Sequence, residues 1–310
     1  MKRFLLRIVL FFFLVASFDV LFGKICVFLL VNAKGGSKKC VHQAALVQDS
    51  EIVIMGSSRA HHHYHPAMFT DTLGKSSYNA GVDGNGIVLA NGLRCLIYSR
   101  YNPSIILYDL TPGFDVTINS MDGNNMRYLG SLRPYYNNTQ VRKILSEVDF
   151  LEIIKNLSSM FRYNSSIIEL LKDQVIVGDY TSNGYSPLYG TITQKSDDLN
   201  SIYKTGDPAI SIMGDNATID SLKYKMLEDY VSKISNTSTR LVFIVSPRWN
   251  VAMGDAIKPV KQLCDYYGVE FWDYSNDSEF QKLEYFKDRI HLNDLGARVF
   301  SSTVAHRLKQ

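Results

Sequence analysis

Five short apolar runs of β type, each closed by a turn, constrain this chain more than any other feature. They are Glu51–Met55, Ser77–Ala80, Ile105–Leu110, Arg240–Val245 and Val269–Tyr274. Between and after them lie stretches with helical character: Ala60–Leu73, Ile87–Tyr101, Ile219–Ile234, Ala252–Tyr267 and Asn293–Leu308. In the second, Ile87, Leu89, Ala90, Leu93, Leu96 and Ile97 recur at helical spacing. In the last, Asp294 stands near the start and His306, Arg307 and Lys309 near the end, as the helix dipole favours. Strands alternating with helices make βαβ units, so the predicted fold is α/β with a parallel sheet. No internal repeat interrupts this pattern.

The rhythm breaks after Pro112-Gly113 and resumes at about residue 218. The intervening 114–217 is rich in Asn, Ser and Tyr, with predicted helices over Val141–Met160 and Ser166–Val175 and a turn-rich stretch over Tyr180–Gly206. About 100 residues without a clear strand is too long for an ordinary connection. It reads as an inserted subdomain or lid. Residues 49–310 are therefore predicted to form one domain carrying this insertion.

A second strong signal is the apolar segment Phe4–Val31, which follows Lys2-Arg3 and contains Arg7, Asp19 and Lys24. Continued through Leu30, it is long enough for a bilayer, which takes roughly 20 residues. A cleaved signal peptide, with Val15-Ala16-Ser17 as its site, competes with an uncleaved anchor. Resumption of the apolar run after Ser17 favours the anchor; Asp19 counts against it, since a carboxylate in hydrocarbon is costly. The expected arrangement is a single-pass anchor over 1–31, a polar linker over 32–48 and an extracytoplasmic domain, although Lys34, Lys38 and Lys39 weaken the charge asymmetry. A net charge of +3, without a long basic run, gives no ground for a nucleic-acid partner. Four cysteines (Cys26, Cys40, Cys95 and Cys264) are too few and too irregular for a disulfide scaffold, though one bridge is open.

Two stretches carry the chemistry. The first β run ends in Gly56-Ser57-Ser58, and Asp288-Arg289-Ile290-His291 precedes the last helix. In an open parallel sheet, sites form beyond the carboxyl ends of the strands. A serine displayed there at a helix start, an imidazole to take its proton and a carboxylate to orient that imidazole are the parts of a nucleophilic acyl-transfer site. The turn Gly81-Val82-Asp83-Gly84-Asn85-Gly86 closes the second strand, where glycine lets backbone N–H groups approach a ligand.

These blocks resemble those of the SGNH/GDSL hydrolase family, over residues 50–113 and 218–310. The family's Gly-Asp-Ser corresponds to Gly56-Ser57-Ser58, which puts Ser58 at the nucleophile position. Its second block is similar to Asn79-Ala80-Gly81-Val82-Asp83-Gly84, with the oxyanion-binding glycine on Gly84. Its Asp-x-x-His falls on Asp288 and His291, followed by Leu292-Asn293. The resemblance implies a flavodoxin-like three-layer α/β/α sandwich with a five-stranded parallel sheet. It further implies a serine-dependent esterase or O-acyltransferase needing no cofactor or metal. Membrane-anchored members that move acetyl groups on or off surface polysaccharides suggest an acylated glycan as substrate and a membrane acyl-transfer partner. One departure stands out. The family's third block carries an Asn that donates to the oxyanion, and here that position falls near Gly113, within Asp109-Leu110-Thr111-Pro112-Gly113-Phe114-Asp115. Thr111, Asn85 or a backbone group must substitute if the chemistry is retained.

Other residues invite bland readings beside sharp ones. Arg59, next to the nucleophile, either binds an anionic substrate group or is a solvated helix residue. Ser57 could exchange roles with Ser58. His61, His62, His63 and His65 lack a spaced metal pattern, and consecutive helical residues face different ways, so no metal is expected. The 19 tyrosines, including Tyr135, Tyr136, Tyr180, Tyr185 and Tyr189, suit sugar stacking but also ordinary packing. A non-catalytic binding or assembly protein on the same fold is the alternative. A nucleotide binder is a weaker one, because Gly81-x-x-Gly84-x-Gly86 is not the dinucleotide pattern.

Overall fold

The structure, a computed structural model, describes residues 1–118, 125–175, 183–192, 218–249 and 254–310. Helix α1 (Lys2–Val31) is long and apolar enough to cross a membrane. The segment predicted as a linker is folded. Helix α2 (Ser37–His42) runs into a π-helical turn, Gln43–Val47, and Val41, Ala44 and Ala45 are buried in the main core. Arg100 holds this segment down by donating to the carbonyls of Ala44 and Gln48, at 3.0 and 2.7 Å. A polar composition thus concealed a small apolar face.

The strands are β1 (Ile52–Gly56), β2 (Ser77–Asn79), β3 (Ile105–Asp109), β4 (Arg240–Val245) and β5 (Glu270–Asp273). All neighbours pair in parallel, in the order β2-β1-β3-β4-β5. The chain therefore leaves β1 towards one edge and then crosses to the other, so that connections part at the β1–β3 boundary. In open α/β sheets, ligand sites form beyond the strands' carboxyl ends at such a divergence.

Between β1 and β2 the predicted single helix is two, α3 (Ser58–His63) and α4 (Pro66–Leu73). The break falls at Tyr64-His65, because the residue before a proline is driven out of helical conformation. Helix α5 (Ile87–Tyr98) links β2 to β3, and α6 (Pro112–Asp115) follows β3. Beyond the inserted region come α11 (Ser221–Ser235), α12 (Lys258–Tyr267) and α13 (Asp294–Leu308). Asn293 caps the last by accepting from Gly296 N–H at 3.0 Å.

Strand residues alternate between two cores, as the period of two requires. Val53, Met55, Ile106, Tyr108 and Phe243 pack with Leu93 and Ile97 of α5 and Leu227 and Val231 of α11. Ile52, Ile54, Leu107 and Ile244 pack with Phe69 of α4 and Phe300 and Val304 of α13. Both faces being covered, β1 and β3 are buried end to end.

The inserted region is closed at its base by an antiparallel bridge between Thr117 and Ile219. Buried Lys223 spans that base, donating to the carbonyls of Gly113 and Thr117 at 2.8 and 2.9 Å. Its described helices are α7 (Thr139–Val148), α8 (Glu152–Lys155), α9 (Ser159–Tyr163) and α10 (Ile167–Lys172). The expected continuous helix over Val141–Met160 breaks at Asp149, whose carboxylate accepts from Leu151 N–H and pairs with Lys155. Helix α7 packs on α5, whereas α9 and α10 pack on α1. Of the described insertion, 183–192 runs past the carboxyl edge of the sheet, bonded to Asn79, His61 and Asp294, and Arg127 reaches Gly84 there.

Candidate active site

The turn after β1 sorts its residues sharply. Gly56 has φ of 137°, and a Cβ there would lie 2.6 Å from the Asp109 carbonyl oxygen, so β1 and β3 can close only over glycine. Ser57 points inward: its hydroxyl lies 2.7 Å from Thr111 Oγ1, and the residue is buried. Arg59 also turns inward, to 2% exposure. Its guanidinium pairs with Asp109 at 3.2 Å and donates to Thr111 Oγ1 at 3.0 Å and to the Leu110 carbonyl. Asp109 also accepts from Tyr64 O–H at 2.7 Å. Arg59 is thus a buried cation holding α3 to the end of β3, and neither reading of it from sequence, substrate contact or solvated residue, survives.

Ser58, between them, faces the other way. Its Oγ lies 2.8 Å from His291 Nε2. His291 Nδ1 lies 3.0 Å from Asp288 Oδ2 and 3.2 Å from Oδ1. A carboxylate only accepts, so Nδ1 carries the proton and the Nε2 lone pair is left for the Ser58 hydroxyl. Asp288 Oδ1 also accepts from Ile290 and His291 N–H at 2.9 and 2.8 Å, which curls the loop and makes three-residue spacing sufficient. Burial works to raise the Asp288 carboxyl, but the hydrogen bond and charge of His291 outweigh it and hold it below its ordinary value.

His63 supports this loop from beneath. Its Nε2 accepts from Leu292 N–H at 3.0 Å, so Nδ1 donates to Ser246 Oγ at 2.9 Å. Complete burial, with His291 nearby, pushes its pKa well down, so it acts as a neutral imidazole. Its ring meets that of His291 edge-on at 6.1 Å.

His61 and His62 form the other wall. The expectation that consecutive residues diverge fails here: their rings lie 4.6 Å apart, and both reach Asp83 of the β2–α5 loop. Asp83 Oδ1 is 2.7 Å from His61 Nδ1 and 3.4 Å from His62 Nε2. His62 Nδ1 donates to the Ser186 carbonyl at 2.7 Å, so an imidazolium best satisfies both of its contacts. Burial depresses His62, yet Asp83 and Ser186 prevail and its pKa is raised. Burial would raise Asp83, but the two histidines bring it far down. One ligand atom from each of His61, His62 and Asp83 lies within 4.8 Å of the others, so these are the residues that could hold a cation. The His62 ring stands edge-on to His291 at 5.7 Å.

Gly84 adopts φ of 64°, a left-handed conformation suited to glycine. Among the described residues, no hydrogen bond engages the N–H of Ser58 or of Gly84. Asn85 is tied to its own turn through the Asp83 carbonyl at 3.0 Å. Thr111 is buried and shared between Ser57 and Arg59, which removes it as a substitute oxyanion donor. Beyond it, Asp115 accepts from Tyr108 O–H and Thr111 N–H, both at 2.6 Å. Burial raises the Asp115 carboxyl to about 7 against those bonds.

Ser58, Asp288 and His291 are brought together, with Gly84 and Asn85 on the same sheet edge. Ser57 and Arg59 are turned into the core. His61, His62 and His63 were singled out as a run, and Asp83 stood within the second block, but their contacts with one another and with Ser246 were not legible, because the partners lie on different loops. Arg127, from the insertion, was also missed. Its guanidinium lies against Gly84, and a Cβ there would meet Nη2 at 2.8 Å. Tyr180 falls outside the described residues. All four cysteines are free and buried, so the open bridge is not formed. No protein-family model and no curated protein matches the chain.

Proposed function

We propose that this chain is a membrane-anchored, serine-dependent esterase or O-acyltransferase of SGNH type, with acyl groups on surface glycans as its substrate class. The observation that carries the reading is the unbroken relay Ser58 Oγ–His291–Asp288, with contacts of 2.8 and 3.0 Å, at the carboxyl edge of a parallel sheet. In this reading Ser58 attacks the acyl carbonyl while His291 Nε2 takes its proton. Asp288 holds the imidazole in the required tautomer and balances its transient charge. The same imidazolium then protonates the leaving hydroxyl. Water as second acceptor gives a hydrolase and a sugar hydroxyl a transferase. The strand order and the helices on both sheet faces support a flavodoxin-like three-layer arrangement.

The oxyanion falls to the N–H groups of Ser58 and Gly84, since Thr111 and Asn85 are otherwise engaged. Loss of one donor typically costs about 10²–10³ in rate. A slow hydrolase, or an enzyme relying on Arg127 for the missing charge, follows from that. The alternative, a non-catalytic binding protein, draws on the same missing Asn. The helix α1 supports a single-pass anchor, and the extracytoplasmic placement of the domain belongs to this proposal.

The test is hydrolysis of p-nitrophenyl acetate and fluorophosphonate labelling of the full chain in detergent. Ser58→Ala is expected to lower hydrolysis by about 10⁴-fold or more and to abolish labelling. Undiminished hydrolysis in that variant would remove Ser58 as nucleophile. A folded wild-type chain that neither labels nor hydrolyses would favour the binding protein.

A further inference from the structure

We infer that the inserted helices α8–α10 lie in the bilayer beside α1, so that the domain rests on the lipid surface. This rests on the reading of α1 as a membrane anchor. The first observation concerns Asp19. Its carboxylate accepts from Ser158 O–H at 2.6 Å, Ser159 N–H at 2.8 Å and Met160 N–H at 2.9 Å, capping the start of α9. The charge that seemed out of place in a membrane helix faces an inserted helix, and Met160 is fixed at its depth.

The second observation is a length. The part of α1 before Asp19, Phe4–Phe18, apolar but for Arg7 near its start, is 15 residues, and at 1.5 Å per residue it spans about 22 Å at most. A bilayer's hydrocarbon is about 30 Å thick. The remaining 8 Å or so must be met by the part of α1 beyond Asp19. Gly23, within that length, is already covered by Ser159 of α9, and the turns that follow, at Cys26 and Leu30, by α9 and α10 in a cluster with Tyr163 and Leu170. Lipid reaching that level touches the outer faces of the inserted helices.

The third observation is what those faces carry. Phe150 and Leu157 are 71% exposed and Ile168 81%; Ile154, Met160 and Val175 are exposed as well. Such a concentration of large apolar side chains on one segment marks a binding surface. Exposed Lys24, Lys34 and Lys172 stand on the same assembly, on the headgroup side of that level, where anionic lipid would attract them. Their sign and the continuity with α1 select lipid as the occupant.

The experiment places single tryptophans in the full chain, in phosphatidylcholine–phosphatidylglycerol vesicles with brominated acyl chains, against the constant background of Trp249 and Trp272. Leu157→Trp and Met160→Trp are expected to lose emission relative to unbrominated vesicles and to emit further to the blue, as does Phe12→Trp within the anchor. Tyr266→Trp, on exposed α12, is expected to be unaffected. Using two substitutions at exposed positions guards against one misfolding. Unquenched emission at 157 and 160 with quenching at 12 overturns the inference and leaves the face to water or a protein partner. Unquenched emission at 12 instead overturns the anchor, and this inference with it.

Discussion

Neighbouring serines of one turn meet opposite environments. Ser57 and Arg59 join Thr111, Asp109 and Tyr64 in a buried polar knot, while Ser58, between them, opens onto His291 and Asp288. The knot is an ion pair and hydrogen bonds among groups shielded from water; the relay beside it is partly exposed, and in the proposed function it passes a proton from Ser58 to the leaving group. A buried charge tolerates no missing partner, whereas a reacting group needs one face left open. The knot fixes which serine faces outward, so the rigid region specifies the serine that the proposed function assigns as nucleophile.

The comparison can be broken from either side. The largest expected effect is on the relay: Asp288→Asn should lower ester turnover by about 10⁴-fold while leaving thermal unfolding near wild type. Next, Arg59→Met leaves Asp109 buried without its cation and should cost about 3–5 kcal/mol, read as a fall in denaturation midpoint. If Arg59→Met instead unfolds like wild type, the knot does not hold the turn. Ser57→Ala is smaller, about 1 kcal/mol for one hydrogen bond, with fluorophosphonate labelling retained. Lost labelling there would show that the serines exchange roles. The smallest effect is a pH slope from His62. Its folded pKa is raised, so its contribution to stability is full below the ordinary value of 6.5 and is lost as pH rises through the raised value. Melts from about pH 6 to pH 9 should show a steeper decline in wild type than in Asp83→Asn, where buried Asp115, raised to about 7, still contributes its own loss.

What the sequence made legible was local. Each strand declares itself by an apolar run and a turn, and Asp288 and His291 meet within one loop, so their spacing carries their geometry. What stayed hidden was set by distant partners. Arg59 reads as solvated or substrate-facing until Asp109, from another strand end, is placed beside it. His61 and His62 read as a polar run until Asp83 arrives from the next loop. The 32–48 segment reads as a linker because few apolar residues are buried in it, Val41, Ala44 and Ala45 in the main core and Ala33 and Cys40 beside it. The helix break at Tyr64-His65 was signalled by Pro66, which the single predicted helix over Ala60–Leu73 ran through.

Residues 183–192 have a consequence in time. Asn183 carbonyl accepts from Asn79 N–H, Ser186 N–H donates to the His61 carbonyl, and Leu188 and Gly190 carbonyls accept from Asp294 and Asn293. The strap therefore stitches the β2 and α3 loops to the start of α13, and Ser58 meets a histidine 233 positions away. Contacts so remote form late in folding, because long loops must close first. On the proposed function, Ser58 stays an ordinary, unactivated hydroxyl until the strap and the 288–293 loop have docked. Its reactivity is then a clock for native assembly, and covalent labelling during refolding would time the closing step directly.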